Sequence, residues 1–186
     1  MKFPLRNNSG QALVLYHAIS SYQLLEVILH RMMFHRTERA VLLLPDFITA
    51  KYPQYQKLVS RRFFHEVYLF PYLKIPHREE GEILGDVIQY WEQVVPHNIR
   101  EFSHIYVAGA HFYFFLYLLH KRIPFFFFED AAGMLSRWKE LYAALCVNYP
   151  VHARIALKHG LFNGENPMVR QIICLEKAQN TSEGEG

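Results

Sequence analysis

Short apolar runs alternate with amphipathic stretches along the chain, and the alternation predicts strand and helix in turn. Residues 12–19 read as a strand, and residues 20–34 follow as a helix in which Leu24, Leu25, Ile28, Leu29 and Met32 recur at helical spacing. Ser20 and Gln23 have the spacing of a capping box, the hydroxyl accepting a free backbone N–H and the amide reaching back. Residues 40–44 form a second strand stopped by Pro45 and Asp46, with a helix expected within 50–63. Residues 66–70, closed by Pro71, make a third strand, and a long helix then runs from near Arg78 or Glu79 to near Pro96, its first turns rich in acids. Beyond it the pattern gives a strand at 105–108, a helix at 110–120, a strand at Phe125–Phe128 and a helix at 131–147. A helix over 151–158, ended by Gly160, and a last apolar run at 169–175 complete the series.

Parallel strands need crossover connections, so this order implies an α/β fold: a Rossmann-like, three-layer αβα domain around a mostly parallel sheet. In such a sheet the carboxyl ends of the strands share one rim, and ligands bind where the strand order reverses, usually between the first and fourth strands. The expected rim holds His17 and Ser20, Ser21, Tyr22 and Gln23 after the first strand and Asp46 after the second. Tyr72 follows the third strand, Gly109 and His111 the fourth, and Glu129 and Asp130 the fifth.

The four phenylalanines that run into Glu129 and Asp130 are the most distinctive of these segments. A carboxylate there can take the proton of an attacking hydroxyl. A like charge and nearby apolar rings raise a carboxylate pKa, whereas a helix N-terminus lowers it, and the sequence leaves both tendencies open. Asp130 is equally suited to N-cap the following helix. His17 and His111 are candidates for orienting substrate or contacting phosphate.

Composition narrows the classes. A chain of 186 residues, 51% hydrophobic, can bury one sizeable core, so residues 1–178 read as a single domain and 179–186 as a disordered tail or linker. A net charge of +3 without dense Lys/Arg clusters argues against nucleic acid, and the pairs Arg61-Arg62 and Lys121-Arg122 allow at most peripheral contact with an anionic membrane. Cys146 and Cys174 have no neighbours at metal-ligand spacing, and the polar start at residues 1–8 is unlike a signal peptide, so a cytoplasmic protein is expected. The longest apolar stretch, 105–119, is shorter than the roughly 20 residues a membrane span needs. No G-x-G-x-x-G, Walker, G-x-S-x-G or H-E-x-x-H pattern occurs, which lowers the dinucleotide, serine-hydrolase and metal readings.

The first strand followed by Ser20-Ser21-Tyr22-Gln23-Leu24-Leu25 resembles the "TPFQLL"-like turn of bacterial lipooligosaccharide sialyltransferases and capsular polysialyltransferases of the GT-B fold. The Phe-rich strand with Glu129-Asp130 resembles their acid-acid-glycine motif. The resemblance implies an amino-terminal half that binds a glycan acceptor, with Asp130 as general base, Glu129 as its partner and residues 21–23 beside the acceptor. It also implies a metal-independent transfer from a CMP-sugar without a further cofactor, in surface-polysaccharide or capsule synthesis at the inner face of the membrane. Ala131 stands where the motif has glycine, Gly133 follows two residues later, and no His-Pro dipeptide of a donor-binding half occurs. The similarity covers element order up to about residue 150. The donor half is therefore expected from a C-terminal domain or a partner subunit. The alternatives are a non-catalytic module that binds a glycan or a protein on the same rim, and a nucleotide binder unrelated to sugars.

Overall fold

The computed structural model describes residues 12–76, 78–108, 113–129, 137–161 and 165–173. Six strands form one all-parallel sheet in the order β3-β2-β1-β4-β5-β6, so the chain steps outward through β1 (Leu13–His17), β2 (Arg39–Pro45) and β3 (Glu66–Phe70). It then returns to the other side of β1 with β4 (Phe102–Ala108), β5 (Phe125–Phe128) and β6 (Val169–Ile173). The expected Rossmann-like αβα fold is present, and the strand order reverses between β1 and β4.

Alternate residues of each strand face opposite layers. Leu15, Val41, Leu43, Val107, Phe125 and Phe127 pack towards α4 (Glu80–Val94), α5 (Phe114–Lys121), α6 (Trp138–Asn148) and α7 (Pro150–Lys158). Val14, Tyr16, Leu42, Leu44, Tyr106 and Phe128 pack towards α1 (Ser21–Phe34) and the single-turn helices α2 (Ile48–Lys51) and α3 (Lys57–Ser60). The phenylalanine run thus serves both cores, which is why it carries no polar position. On α4, Ile83, Val87 and Trp91 recur every four residues and are buried. The Trp91 ring stacks on Phe114 and Tyr117 of α5 with centroids 5.3 and 5.4 Å apart.

The elements differ from the sequence pattern in four places. The helix expected within 50–63 is two single turns, because Pro53 cannot continue a helix and holds Tyr52 at φ −139°, ψ 69°. β4 begins at Phe102, three residues early, since Leu13 and Val14 pair with Phe102 and His104 across a register shift, and the Ser103 hydroxyl donates to the Leu13 carbonyl at 3.1 Å. The expected helices at 110–120 and 131–147 are described only from Phe114 and Trp138 onward. The apolar stripe read on α1 is split: Leu24 is buried and Ile28 packs against the core, whereas Leu25, Leu29 and Met32 are 57%, 46% and 51% exposed and Gln23, Glu26, Val27 and Arg31 are buried.

The outward turn of those three accompanies a polar, aromatic layer under α1. The Tyr16 hydroxyl and His30 Nδ1 lie 3.0 Å apart, His35 Nε2 lies 2.6 Å from the Tyr106 hydroxyl, and Tyr16 stacks on Tyr106 at 4.9 Å. His30 of α1 and its C-cap residue His35 turn inward to bond these hydroxyls. On the far face, Lys158 and His159 each reach Glu80 at 2.7 Å and pin α7 to the start of α4. Burial pushes the Glu80 carboxyl up, but those two hydrogen bonds outweigh it and hold the pKa below its ordinary value. No helix among the described residues is long and apolar enough to cross a membrane.

Two stability predictions arise here. Gly85 lies exposed inside α4 with nothing within 4 Å of an added Cβ, so Gly85→Ala should stabilise the protein by about 0.5–1 kcal/mol, seen as a higher urea midpoint. Burial, helped by the neighbouring His35, holds His30 down to about 4 against an ordinary value of 6.5. Between those pH values the unfolded chain takes up a proton that the folded one refuses, so stability falls as pH drops from 6.5 towards 4, by about 2 kcal/mol after allowance for partial exposure. His65 and His104 are shifted the same way, chiefly by burial. Urea titrations at pH 7.5 and 5 should show the fall, and His30→Gln should reduce it.

Candidate functional site

The chain leaves β1 into α1 on one face of the sheet and leaves β4 towards α5 on the other, which opens the carboxyl rim between the two strands. Two adjoining hollows lie along this rim. The larger, about 660 Å³, is lined by Ser20, Phe47, Lys51, Tyr72, Tyr113 and His152 among others. The smaller, about 320 Å³, shares Ile19, Ser20, Phe47 and Lys51 with it and adds Ser21 and Leu25.

Local hydrogen bonds build the floor. The Ser20 hydroxyl accepts from the Gln23 N–H at 3.2 Å, and the Gln23 side-chain oxygen accepts from the Ile19 N–H at 3.1 Å, so the expected reciprocal cap forms one residue wider than the standard box. Gln23 is spent on this cap, 1% exposed, while Ser20 both caps and faces the hollows. Asp46 takes a structural part: one carboxylate oxygen accepts the Phe47 and Leu73 N–H groups at 3.0 and 3.2 Å, tying the ends of β2 and β3 together.

His17, the last residue of β1, is fully buried beneath the larger hollow, and its Nε2 shares a 2.8 Å hydrogen bond with the Tyr72 hydroxyl. Burial drives the Tyr72 pKa well above its ordinary value, although a backbone hydrogen bond at Phe114 opposes the shift, so Tyr72 stays a neutral phenol. Tyr72 therefore links three strand ends: its own after β3, His17 after β1 and the start of α5 after β4.

One wall of the larger hollow is aromatic. Tyr113 and His152 stack with centroids 4.2 Å apart and planes 9° apart, and Tyr149 meets His152 edge-on at 5.7 Å. Lys51 supplies positive charge on the opposite side. An aromatic face beside scattered hydroxyls and a cation can hold a sugar ring or another polar, flat-faced ligand.

Of the expected site residues, Ser20, Ser21 and Tyr72 line the hollows, and His17 supports them from below. Tyr22 is half-buried and lines neither hollow. Glu129 directly follows β5 at 1% exposure, its N–H donating to the Ile173 carbonyl at 3.1 Å. Asp130, Gly109 and His111 lie outside the described residues. Tyr113, Tyr149, His152 and Lys51 were not anticipated from sequence. Tyr113 is signalled by its position just after β4, but Tyr149 and His152 come from the junction of two successive helices, where no strand end marks the rim. Among the described residues, the group of side chains spaced to share a metal ion is His35, Glu38 and His104, at the amino ends of the strands rather than on this rim.

Tyr72→Phe keeps the ring and removes the hydroxyl, so it should cost about 1–2 kcal/mol in urea unfolding, and the larger hollow should lose ligand affinity in parallel. No protein-family model matches the chain, and no curated protein matches it.

Proposed function

We propose that the carboxyl rim binds a glycan acceptor and that the chain is the acceptor-side half of a sialyltransferase-like glycosyltransferase. The observation that supports this reading most is the hollow of about 660 Å³ beside the β1–β4 reversal, walled by Tyr113, Tyr149 and His152 and carrying Ser20 and Lys51. Its size lies within the roughly 300–1,000 Å³ of small-molecule sites. Stacking rings select the apolar faces of sugars, and hydroxyl and ammonium groups bind their edges.

In this reading Asp130 accepts the proton of the acceptor hydroxyl as its oxygen bonds to the anomeric carbon of a CMP-sugar. The bond from that carbon to the CMP phosphate oxygen breaks, and CMP leaves with the electron pair. Glu129, sealed at 1% exposure, serves as the partner that sets the charge around the base. The donor is held by a second α/β half facing this rim, from the same polypeptide or a partner subunit. The expected setting is bacterial surface-polysaccharide synthesis in the cytoplasm, at the inner face of the membrane.

A second reading is a non-catalytic glycan- or protein-binding module, favoured by Ala131 at the motif's glycine position and by the absence of Glu129 from the lining of the hollows. The chain alone is expected to be inactive, so transfer assays with a panel of CMP- and UDP-sugars on the chain joined to its donor-binding half, together with glycan-binding measurements on the same protein, separate the two. Asp130→Asn should lower transfer by about 100-fold or more with the fold unchanged, Glu129→Gln should cost less, and Tyr113→Ala should weaken acceptor binding roughly tenfold. Near-normal turnover in Asp130→Asn would sink the catalytic assignment. Glycan binding without any transfer by that complete protein would establish the module instead.

A further inference from the structure

We propose that His35, Glu38 and His104 form a binding site for a divalent late first-row metal ion, with zinc as the best-suited probe. The site lies at the amino ends of the strands, away from the glycan rim. α1 runs back across the sheet and delivers His35, its C-cap residue, beside β4, and the turn into β2 adds Glu38. β4 contributes His104, which pairs in register with Val14 of β1. Sequence spacing hides the group, since its third member comes from a strand far later in the chain.

One donor atom from each of the three side chains lies within 4.8 Å of the others. A tetrahedral zinc ion with bonds of about 2.0–2.1 Å sets its donors roughly 3.3 Å apart, so the group must contract slightly. His35 Nδ1 and a Glu38 carboxylate oxygen are already in direct contact, and the half-buried side chains of Glu38 and His104 can supply the remaining movement. Two imidazoles and one carboxylate leave a fourth position for water or a ligand.

The surrounding hydrogen bonds orient each ring for this task. His35 Nε2 lies 2.6 Å from the Tyr106 hydroxyl, and Tyr106 is clamped between Tyr16 and Phe126, each 4.9 Å from its ring centroid. Without a metal, His35 Nδ1 donates to the Glu38 carboxylate and Nε2 accepts from the Tyr106 hydroxyl; a metal displaces the Nδ1 proton, after which the Tyr106 oxygen can accept one from Nε2. The Ser103 hydroxyl donates to the Leu13 carbonyl, so its oxygen receives a proton from His104 Nδ1, at 3.2 Å, and the His104 lone pair falls on Nε2. His104 is thus held in a tautomer ready to coordinate, and His35 becomes so by losing the proton it shares with Glu38.

Neighbouring charges set the strength. Arg31 donates to the Glu38 carbonyl at 3.3 Å, and Arg170 lies near enough to His104 to act on its charge. These cations repel a metal ion, so affinity should be moderate rather than that of a fully anionic zinc site.

A purely structural role for His35 and Glu38, locking the α1–β2 turn, makes no use of His104. That difference decides the test. The full chain, stripped with a chelator, should bind one equivalent of Zn2+ by calorimetry at pH 7.5 and show the visible absorption of four-coordinate Co2+. His104→Ala and Glu38→Gln should each weaken binding at least tenfold and abolish the Co2+ band, Tyr106→Phe should weaken it about tenfold, and His120→Ala should change nothing. Circular dichroism melts of the metal-free variants report whether the fold is kept, and Glu38→Gln serves if His104→Ala unfolds. The proposal is overturned if the wild-type chain takes up no Zn2+, or if a folded His104→Ala or Glu38→Gln variant binds it as tightly as wild type.

Discussion

β1 is hydrogen-bonded on both edges and covered on both faces: it pairs in parallel with β2 and β4, and Val14, Leu15, Tyr16 and His17 have no solvent exposure. A parallel pair cannot be closed by a tight turn, so each neighbour of β1 requires a crossover helix, and right-handed crossovers in opposite directions place helices on both faces. The reversal of strand order at β1, the opening of the carboxyl rim there and the convergence of His17, Ser20 and Tyr72 beside it all follow from that placement.

The same placement explains how the two ends of the sheet differ. At the carboxyl rim, strand ends turn into helix starts, and backbone N–H groups are satisfied by Ser20, Gln23 and Asp46, leaving a wide hollow with aromatic walls. At the amino ends, α1 terminates against β4, and the polar groups are histidine, tyrosine and glutamate packed closely together. The first arrangement has room for an organic ligand. The second is a close-packed cluster joined by hydrogen bonds.

Much of the fold was legible because parallel strands buried on both faces read as unbroken apolar runs: 66–70 coincides with β3, and the phenylalanine run with β5. The capping pair Ser20 and Gln23 was legible too, because a local hydrogen-bond exchange depends on spacing alone. The buried face of α1 was legible only at Leu24 and Ile28. Helical periodicity locates a stripe but does not say what the stripe meets, and here the facing layer is Tyr16 and Tyr106 with their bonded histidines, so Leu25, Leu29 and Met32 turn outward. The rim was half legible: residues that directly follow strands were anticipated, whereas Tyr149 and His152 arrive through packing of α6 and α7, which no local pattern encodes.

The separation in sequence between the two neighbours of β1 has a consequence for synthesis of the protein. β2 and β3 emerge from the ribosome soon after β1 and can pair with it in order, but β4 appears only after the whole of α4 has been made. At roughly 5–20 residues per second, the inner edge of β1 stays open for several seconds, a nascent three-strand sheet with its most apolar strand unprotected. The late-closing seam is the one that also forms the rim, so a chain stalled before β4 would lack the rim and be prone to pair with other open strands.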